Sequence, residues 1–165
     1  MRHTISVLVE NEFGVLARVA GLFSGRGYNI DSLTVSETLE SGTSRMTIVT
    51  TGSDKIIEQI IKQLNRLINV IRVENLTESS MVEREVILVK VEQVADHGKL
   101  FKVVELYGGR IIDDDEGTYI LEFTGDSSAL HKILDALHPF GILEFLSSGS
   151  IAMAKGRKIM KEEAC

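Results

Sequence analysis

The chain has 165 residues, 44% of them hydrophobic and 25% charged, with a formal net charge of −6. That is the composition of a globular protein rather than a disordered or fibrous one, and the negative balance argues against a general phosphate-backbone binder, whose affinity would come from clustered Lys and Arg. No apolar run approaches the roughly 18 residues that span a bilayer, and the opening MRHTISVLVENE lacks the apolar core and cleavage site of a signal peptide.

In the first half, Ile5, Val7 and Val9 alternate with Thr4, Ser6 and Leu8, which predicts a strand with one apolar face. Val15, Leu16, Val19, Leu22 and Phe23 then recur at helical spacing. Asn29 to Thr38 reads as a strand, the polar ESGTS at 40–44 as a turn, and Arg45 to Thr51 as a third strand. Ser53 or Asp54 can cap a second helix by accepting from its free N–H groups. That helix carries the stripe Ile57, Ile60, Ile61, Leu64, Leu67 and Ile68, with Lys55, Glu58, Lys62 and Arg66 off it. Val70 to Leu76 supplies the last strand of a βαββαβ unit.

The second half repeats that order with little sequence identity. Val86 to Val91 predicts a strand, and Leu100, Val103, Val104 and Tyr107 a helical face ended by a Gly108-Gly109 cap. Ile111 and Ile112 lead into the turn DDDEG, residues 113–117, and Tyr119, Leu121 and Phe123 alternate beyond it. Asp126 or Ser127 caps a helix bearing Leu130, Ile133, Leu134 and Leu137. Pro139 and Gly141 stop it, and Ile142 to Leu146 closes the unit. The reading is therefore α+β: two antiparallel four-stranded sheets, each with two helices on one face, at residues 1–77 and 84–165 with 78–83 as linker. Units this small are marginal alone. Leu8, Leu33 and Val49 are read onto the other face of the first sheet, so another module or a second copy of the chain is expected to cover it.

One turn carries the chemistry. Asn11 follows the first strand and Gly14 sits at the entry to the first helix, where unpaired N–H groups and the positive end of the helix dipole suit a carboxylate. Gly14 lets a ligand approach the backbone, and the amides of Asn11 and Asn29 can each donate or accept. Val15, Leu16 and Ile30 are apolar neighbours, a mixture that suits a small zwitterion with a branched aliphatic side chain. Asn11 and Asn29 are equally ordinary turn residues, and Asn11 has the alternative role of a helix-entry cap. Gly21 and Gly25 each cost the helix about 1 kcal/mol relative to Ala, and close packing on the sheet or on a neighbour is the reading preferred for them.

Catalytic constellations are sparse. His3, His97, His131 and His138 are scattered, and no nucleophile elbow, Walker loop or Rossmann glycine pattern is present. Asp113, Asp114, Asp115 and Glu116 lack the spaced ligands of a calcium loop and read as a solvated turn; no metal site is expected. The strand SRMTIVTT has none of the aromatics that stack RNA bases. Lys155, Arg157, Lys158 and Lys161 cluster near the end but meet Glu162 and Glu163, a solvated helix end or docking segment rather than a nucleic-acid site. Cys165 is the only cysteine, which fits a reducing, cytoplasmic location and permits no intrachain disulfide. Neither nucleic acid nor membrane is an expected partner.

NEFGVLARVAGLFSGRGYNIDSLTV, residues 11–35, resembles the signature of the regulatory small subunit of acetolactate synthase, also called acetohydroxyacid synthase. SRMTIVT, QLNRLINVIRV, VEREVILVKV and SGSIAMAKGRKIM are similar to the same family, so the resemblance runs over nearly the whole chain, more loosely between residues 95 and 145. It implies two ferredoxin-like units, the first an ACT domain that dimerises and senses amino acids. It implies no active site and no cofactor in this chain, but a large catalytic partner carrying thiamine diphosphate, Mg and FAD. That partner joins two pyruvates, or pyruvate and 2-oxobutyrate, in valine, leucine and isoleucine synthesis. The small subunit activates it and makes it sensitive to feedback by an effector, usually L-valine, bound between ACT domains of a homodimer. Matched by position, the effector-binding residues are Asn11, Gly14, Val15, Leu16, Asn29 and Ile30. A stand-alone amino-acid-sensing module for another partner is the alternative, although no helix-turn-helix lies outside the two units.

Overall fold

The computed structural model describes residues 1–92 and 97–160; Lys161, Glu162, Glu163 and Cys165 lie outside the described residues. The chain forms two compact units, Met1–Val82 together with the described residues from Ser150 onward, and Glu83–Gly149.

The first unit follows the order β1 (Arg2–Glu10), α1 (Val15–Ser24), β2 (Ser32–Glu37), β3 (Thr43–Thr51), α2 (Asp54–Leu64), β4 (Val70–Asn75). Its antiparallel sheet runs β2-β3-β1-β4. Period-two alternation turns Ile5, Val7, Val9, Met46 and Ile48 toward the helices, where they meet Val15, Val19, Phe23, Ile57, Ile60 and Leu64 in a core exposed by no more than 3% at any residue. Leu33 pairs with Ile48 and packs on this core, not on the opposite face assigned to it from sequence. The strand begins at Ser32 rather than Asn29, so the alternation was read with the wrong phase. Ser53 is the N-cap of α2 but makes no side-chain cap bond; its carbonyl accepts from Ile56 and Ile57 N–H at 2.9 and 3.1 Å. α2 stops at Leu64, which leaves Ile68, expected on its stripe, 90% exposed.

The opposite face of this sheet is covered by the chain's own end. From Ser150 the backbone passes over it, forming β9 (Ile151–Ala154). Arg2 donates to Ser150 Oγ at 3.2 Å and Ser150 N–H to Ser32 Oγ at 3.1 Å. Arg45 donates to the Ala152 carbonyl at 3.0 Å, and Ser6 Oγ donates to Met160 Sδ at 3.2 Å. Ser6, Leu8 and Val49 are exposed by 2% or less. Residues 150–160 thus belong with the first unit, where the sequence reading gives the stretch 84–165 to the second. The face needs no second module to cover Leu8 and Val49.

The second unit follows β5 (Met81–Glu92), α3 (His97–Leu106), β6 (Arg110–Asp115), β7 (Thr118–Gly125), α4 (Ser127–Leu137) and β8 (Ile142–Ser147). Strands β6-β7-β5-β8 are antiparallel, which repeats the first order strand for strand. The repeat extends to a register shift in the first strand of each unit, between Leu8 and Val9 and between Lys90 and Val91. Both first helices end alike. Tyr28 N–H bonds Phe23 O and Gly27 N–H bonds Ser24 O, while Gly109 N–H bonds Val104 O and Gly108 N–H bonds Glu105 O. Each is a Schellman cap, with positive φ at Gly27 and Gly108. Asp126 caps α4, accepting from Ala129 N–H at 2.8 Å. The acidic run differs from expectation: Asp113 to Asp115 continue strand β6, and only Glu116-Gly117, with φ of 49° and 78°, turn the hairpin. Two consecutive positive φ values match the twist of paired strands.

Gly109 is tightly constrained. A Cβ there would overlap the ring of Phe123, itself 1% exposed in the core. Gly109→Ala is expected to destabilise the second unit by about 1–3 kcal/mol through overpacking, read as a lower urea midpoint at unchanged slope. Gly21, by contrast, has nothing within 4 Å of a built Cβ. It is therefore not held by close packing on its own sheet, one of the two options weighed for it.

Candidate functional site

The loop from Asn11 to Gly14 joins the end of β1 to the start of α1. Asn11 N–H bonds the Gly42 carbonyl at 2.7 Å, fixing the loop to the β2–β3 turn. Gly14 is the N-cap of α1, with φ 81° and ψ −3°, and no side chain caps the helix. In this left-handed conformation glycine avoids the Cβ penalty that other residues incur. The nearest atom to a built Cβ is Arg18 Nη2 at 3.8 Å, so φ rather than crowding calls for glycine. Val15 N–H reaches back to Glu12 O at 3.4 Å, and the first-turn amides beyond it have no partner within the helix. An uncapped helix start with an open approach is suited to a carboxylate.

The loop is braced from below by a residue the sequence reading did not single out. Asn69, 6% exposed, donates to Glu10 Oε2 at 2.7 Å and to Glu12 Oε2 at 3.1 Å, and its side-chain oxygen accepts from Arg18. Its carbonyl also accepts from Glu10 N–H at 2.9 Å. A short polar stretch before a strand gives no local sign of this, because the partners come from residues 10 to 18.

Asn29 lies elsewhere. Its carbonyl accepts from Thr50 Oγ1 at 2.6 Å, and Asp31 N–H bonds the Val49 carbonyl. Asn11 follows Glu10, which pairs with Thr43 at the other end of β3. At about 3.3 Å per residue, the intervening strand separates the two amides by about 23 Å. One chain therefore brings Asn11, Gly14 and Leu16 together and leaves Asn29 and Ile30 at the far end of the sheet. Leu16 is 45% exposed, Ile30 half-buried and Val15 only 3% exposed. The Val15 side chain belongs to the core, so it is its backbone, not an apolar wall, that the site can use. Phe13, beside the loop, is fully exposed.

Both amides are held by carboxylates of their own chain. Asn11 Nδ2 donates to Glu37 Oε1 at 2.6 Å, and Asn29 Nδ2 donates to Asp31 Oδ1 at 2.8 Å. Asp31 is held in turn by Thr51 Oγ1, which donates to its Oδ2 at 2.8 Å. Glu37 ends β2 and Asp31 precedes it, so the two clasps sit at opposite ends of one strand. That strand is an edge of the sheet, paired only with β3.

A separate cavity of about 410 Å³ opens beneath the C-terminal segment, lined by Leu8, Leu39, Arg45, Glu74, Met153 and Met160 among others, and by none of the six sequence-predicted residues. No group of His, Cys, Asp and Glu suited to a metal ion occurs among the described residues. No helix among them is long and apolar enough to cross a membrane.

Residues 5–72 match a family model described as an AHAS small subunit-like ACT domain, and residues 84–156 match one described as the small subunit of acetolactate synthase. The chain is 48% identical over 159 residues to the probable acetolactate synthase small subunit of Archaeoglobus fulgidus, covering 96% of this chain and 99% of that one. It is 44% identical over 164 residues to the acetolactate synthase isozyme 3 small subunit of Escherichia coli K12, covering 98% and 100% respectively. The crystal structure of the Thermotoga maritima acetolactate synthase small subunit superposes with a TM-score of 0.86 at 38% identity, covering 96% of this chain and 99% of that chain.

Proposed function

Because the chain belongs to the acetolactate synthase small-subunit family and its first unit is an ACT domain, we propose that it is the non-catalytic regulator of a thiamine-diphosphate-dependent catalytic subunit. It raises that subunit's activity and confers inhibition by L-valine. The carrying observation is the division of the site residues between the two ends of β2. Two copies pairing antiparallel along this edge strand would set Asn11 and Gly14 of one beside Asn29 and Ile30 of the other. Edge strands with unpaired N–H and C=O groups are suited to such pairing. Each dimer then carries two equivalent sites. In each, the start of α1 receives the valine carboxylate and an amide oxygen receives its ammonium, with Leu16 and Ile30 beside the isopropyl group.

Inhibition follows by linkage: valine must bind better to the dimer arrangement that activates the partner less. A coupling of about 1–3 kcal/mol is typical of such effects and is sufficient. Thiamine diphosphate, Mg and FAD belong to the catalytic subunit and take no part in the chemistry of this chain. Mixing the purified chain with the catalytic subunit is expected to stimulate pyruvate condensation and to make it valine-sensitive. Saturable valine binding without any stimulation would instead favour a stand-alone sensor.

A further inference from the structure

The two carboxylates that clasp the site amides have a consequence for what the site accepts. A carboxylate offers no proton, so the group of Asn11 facing Glu37 Oε1 at 2.6 Å is its NH2, and the same holds for Asn29 facing Asp31 Oδ1 at 2.8 Å. Each amide, which in isolation can present either end, is thereby turned so that its oxygen is open to a ligand, beside the one remaining N–H of its NH2. Asp31 is anchored by Thr51 at 2.8 Å and the Asn29 backbone by Thr50 at 2.6 Å, so this orientation is fixed from two sides. We infer that Asp31 and Glu37 are positioning residues that set the polarity of the effector site, holding both amide oxygens open as acceptors and so favouring a free α-ammonium. The inference rests on the proposed dimeric valine site. There, Asn11 and Glu37 of one copy would stand beside Asn29 and Asp31 of the other, giving two amide oxygens and two negative charges.

Such a site prefers α-amino acids to the 2-hydroxy acid of the same skeleton. The hydroxyl replaces a cationic donor by a neutral one, and charge-assisted bonds are about twice as strong as neutral ones. Charge alone is not the device, because an acidic group that fails to reach the amide NH2 leaves the amide free to turn.

The test is calorimetric titration of the full chain with L-valine and with L-2-hydroxyisovalerate. The wild type is expected to bind valine and to prefer it over the hydroxy acid by about 10-fold or more. Asp31→Asn and Glu37→Gln each place a second amide opposite the first, and each is expected to erase most of that preference. The unfolding midpoint should stay unchanged, since both residues are exposed. Glu37→Asp keeps the charge but shortens the reach, and should lose part of the preference as well. A ratio unmoved in the two neutral variants, or one fully kept in Glu37→Asp while lost in Glu37→Gln, would overturn the positioning role and leave the valine site standing. A wild type that binds neither ligand would overturn both.

Discussion

Glu74→Ala is expected to cost the full chain about 3 kcal/mol, and to cost a chain ended at Gly149 less than about 1 kcal/mol. The Glu74 side chain is 7% exposed; Arg72 Nη2 lies 3.1 Å from its Oε1 and Lys158 Nζ lies 3.8 Å from its Oε2. Arg45 donates to Ser6 Oγ at 2.8 Å and to the Ala152 carbonyl at 3.0 Å. Burial pulls the Arg45 guanidinium below its usual value, and the Glu74 carboxylate pushes it back up. Removing Glu74 leaves that partly buried cation without its anion, the situation in which loss of one partner is expensive. Ending the chain at Gly149 takes away Ala152 and Lys158 and returns the same groups to water, where an ion pair contributes little. The shorter chain also exposes Leu8 and Val49, each about 1.5–3 kcal/mol of lost burial. It should therefore start from lower stability and tend to associate. Urea unfolding of the four proteins reads the difference as a coupling between Glu74 and the C-terminal segment. Equal losses in both backgrounds would mean that the segment does not bury the pair.

Elements whose signal is local were legible in the sequence. The stripe of α4, that of α2 as far as Leu64, the Gly108-Gly109 cap and the Asp126 cap each depend on neighbours a turn or less apart, and the structure has them where the local pattern put them. The doubled βαββαβ order followed from those elements. What failed depends on distance or phase. The four residues of β9 are too few to show alternation, and the partners of the segment, Arg2, Ser6, Ser32 and Arg45, lie more than a hundred residues away. Nothing local marks such a contact. Leu33 lies on the face opposite to the one expected because a strand begun at Asn29 includes three loop residues, Asn29, Ile30 and Asp31, and an odd offset inverts a period-two pattern.

The candidate site was half legible for a similar reason. Turn chemistry singled out Asn11 and Gly14, and the structure makes Gly14 the uncapped, left-handed start of a helix. The carboxylates that orient the amides escaped notice. Asp31 is only two residues beyond Asn29, a spacing at which a short acidic side chain readily bonds its neighbour, but Glu37 reaches Asn11 across 26 positions. The split between Asn11 and Asn29 follows from topology: β1 and β2 both run antiparallel to β3, so the end of one and the entry to the other lie at opposite ends of β3.

That split gives Gly14→Asp its diagnostic value. The new carboxylate would stand where the valine carboxylate is expected, over the same first-turn N–H groups of α1, and like charges brought together there cost several kcal/mol. Valine affinity is expected to fall by about 100-fold or more. Folding should suffer far less. A Cβ at Gly14 comes no closer than 3.8 Å to Arg18 Nη2, and the φ of 81° is one that Asp tolerates at a cost of about 1 kcal/mol. Gly14→Asn has the same shape and the same backbone demand without the charge, so it separates electrostatics from strain and should keep most of the binding. Calorimetric titration of both variants, with carboligation by the reconstituted enzyme, distinguishes the cases. Activation should survive in each, since no core contact changes, while only the Asp variant escapes feedback. Full valine sensitivity in Gly14→Asp would remove the start of α1 from the effector site. An equal loss in both variants would instead assign the effect to the shape of the turn and not to a competing charge.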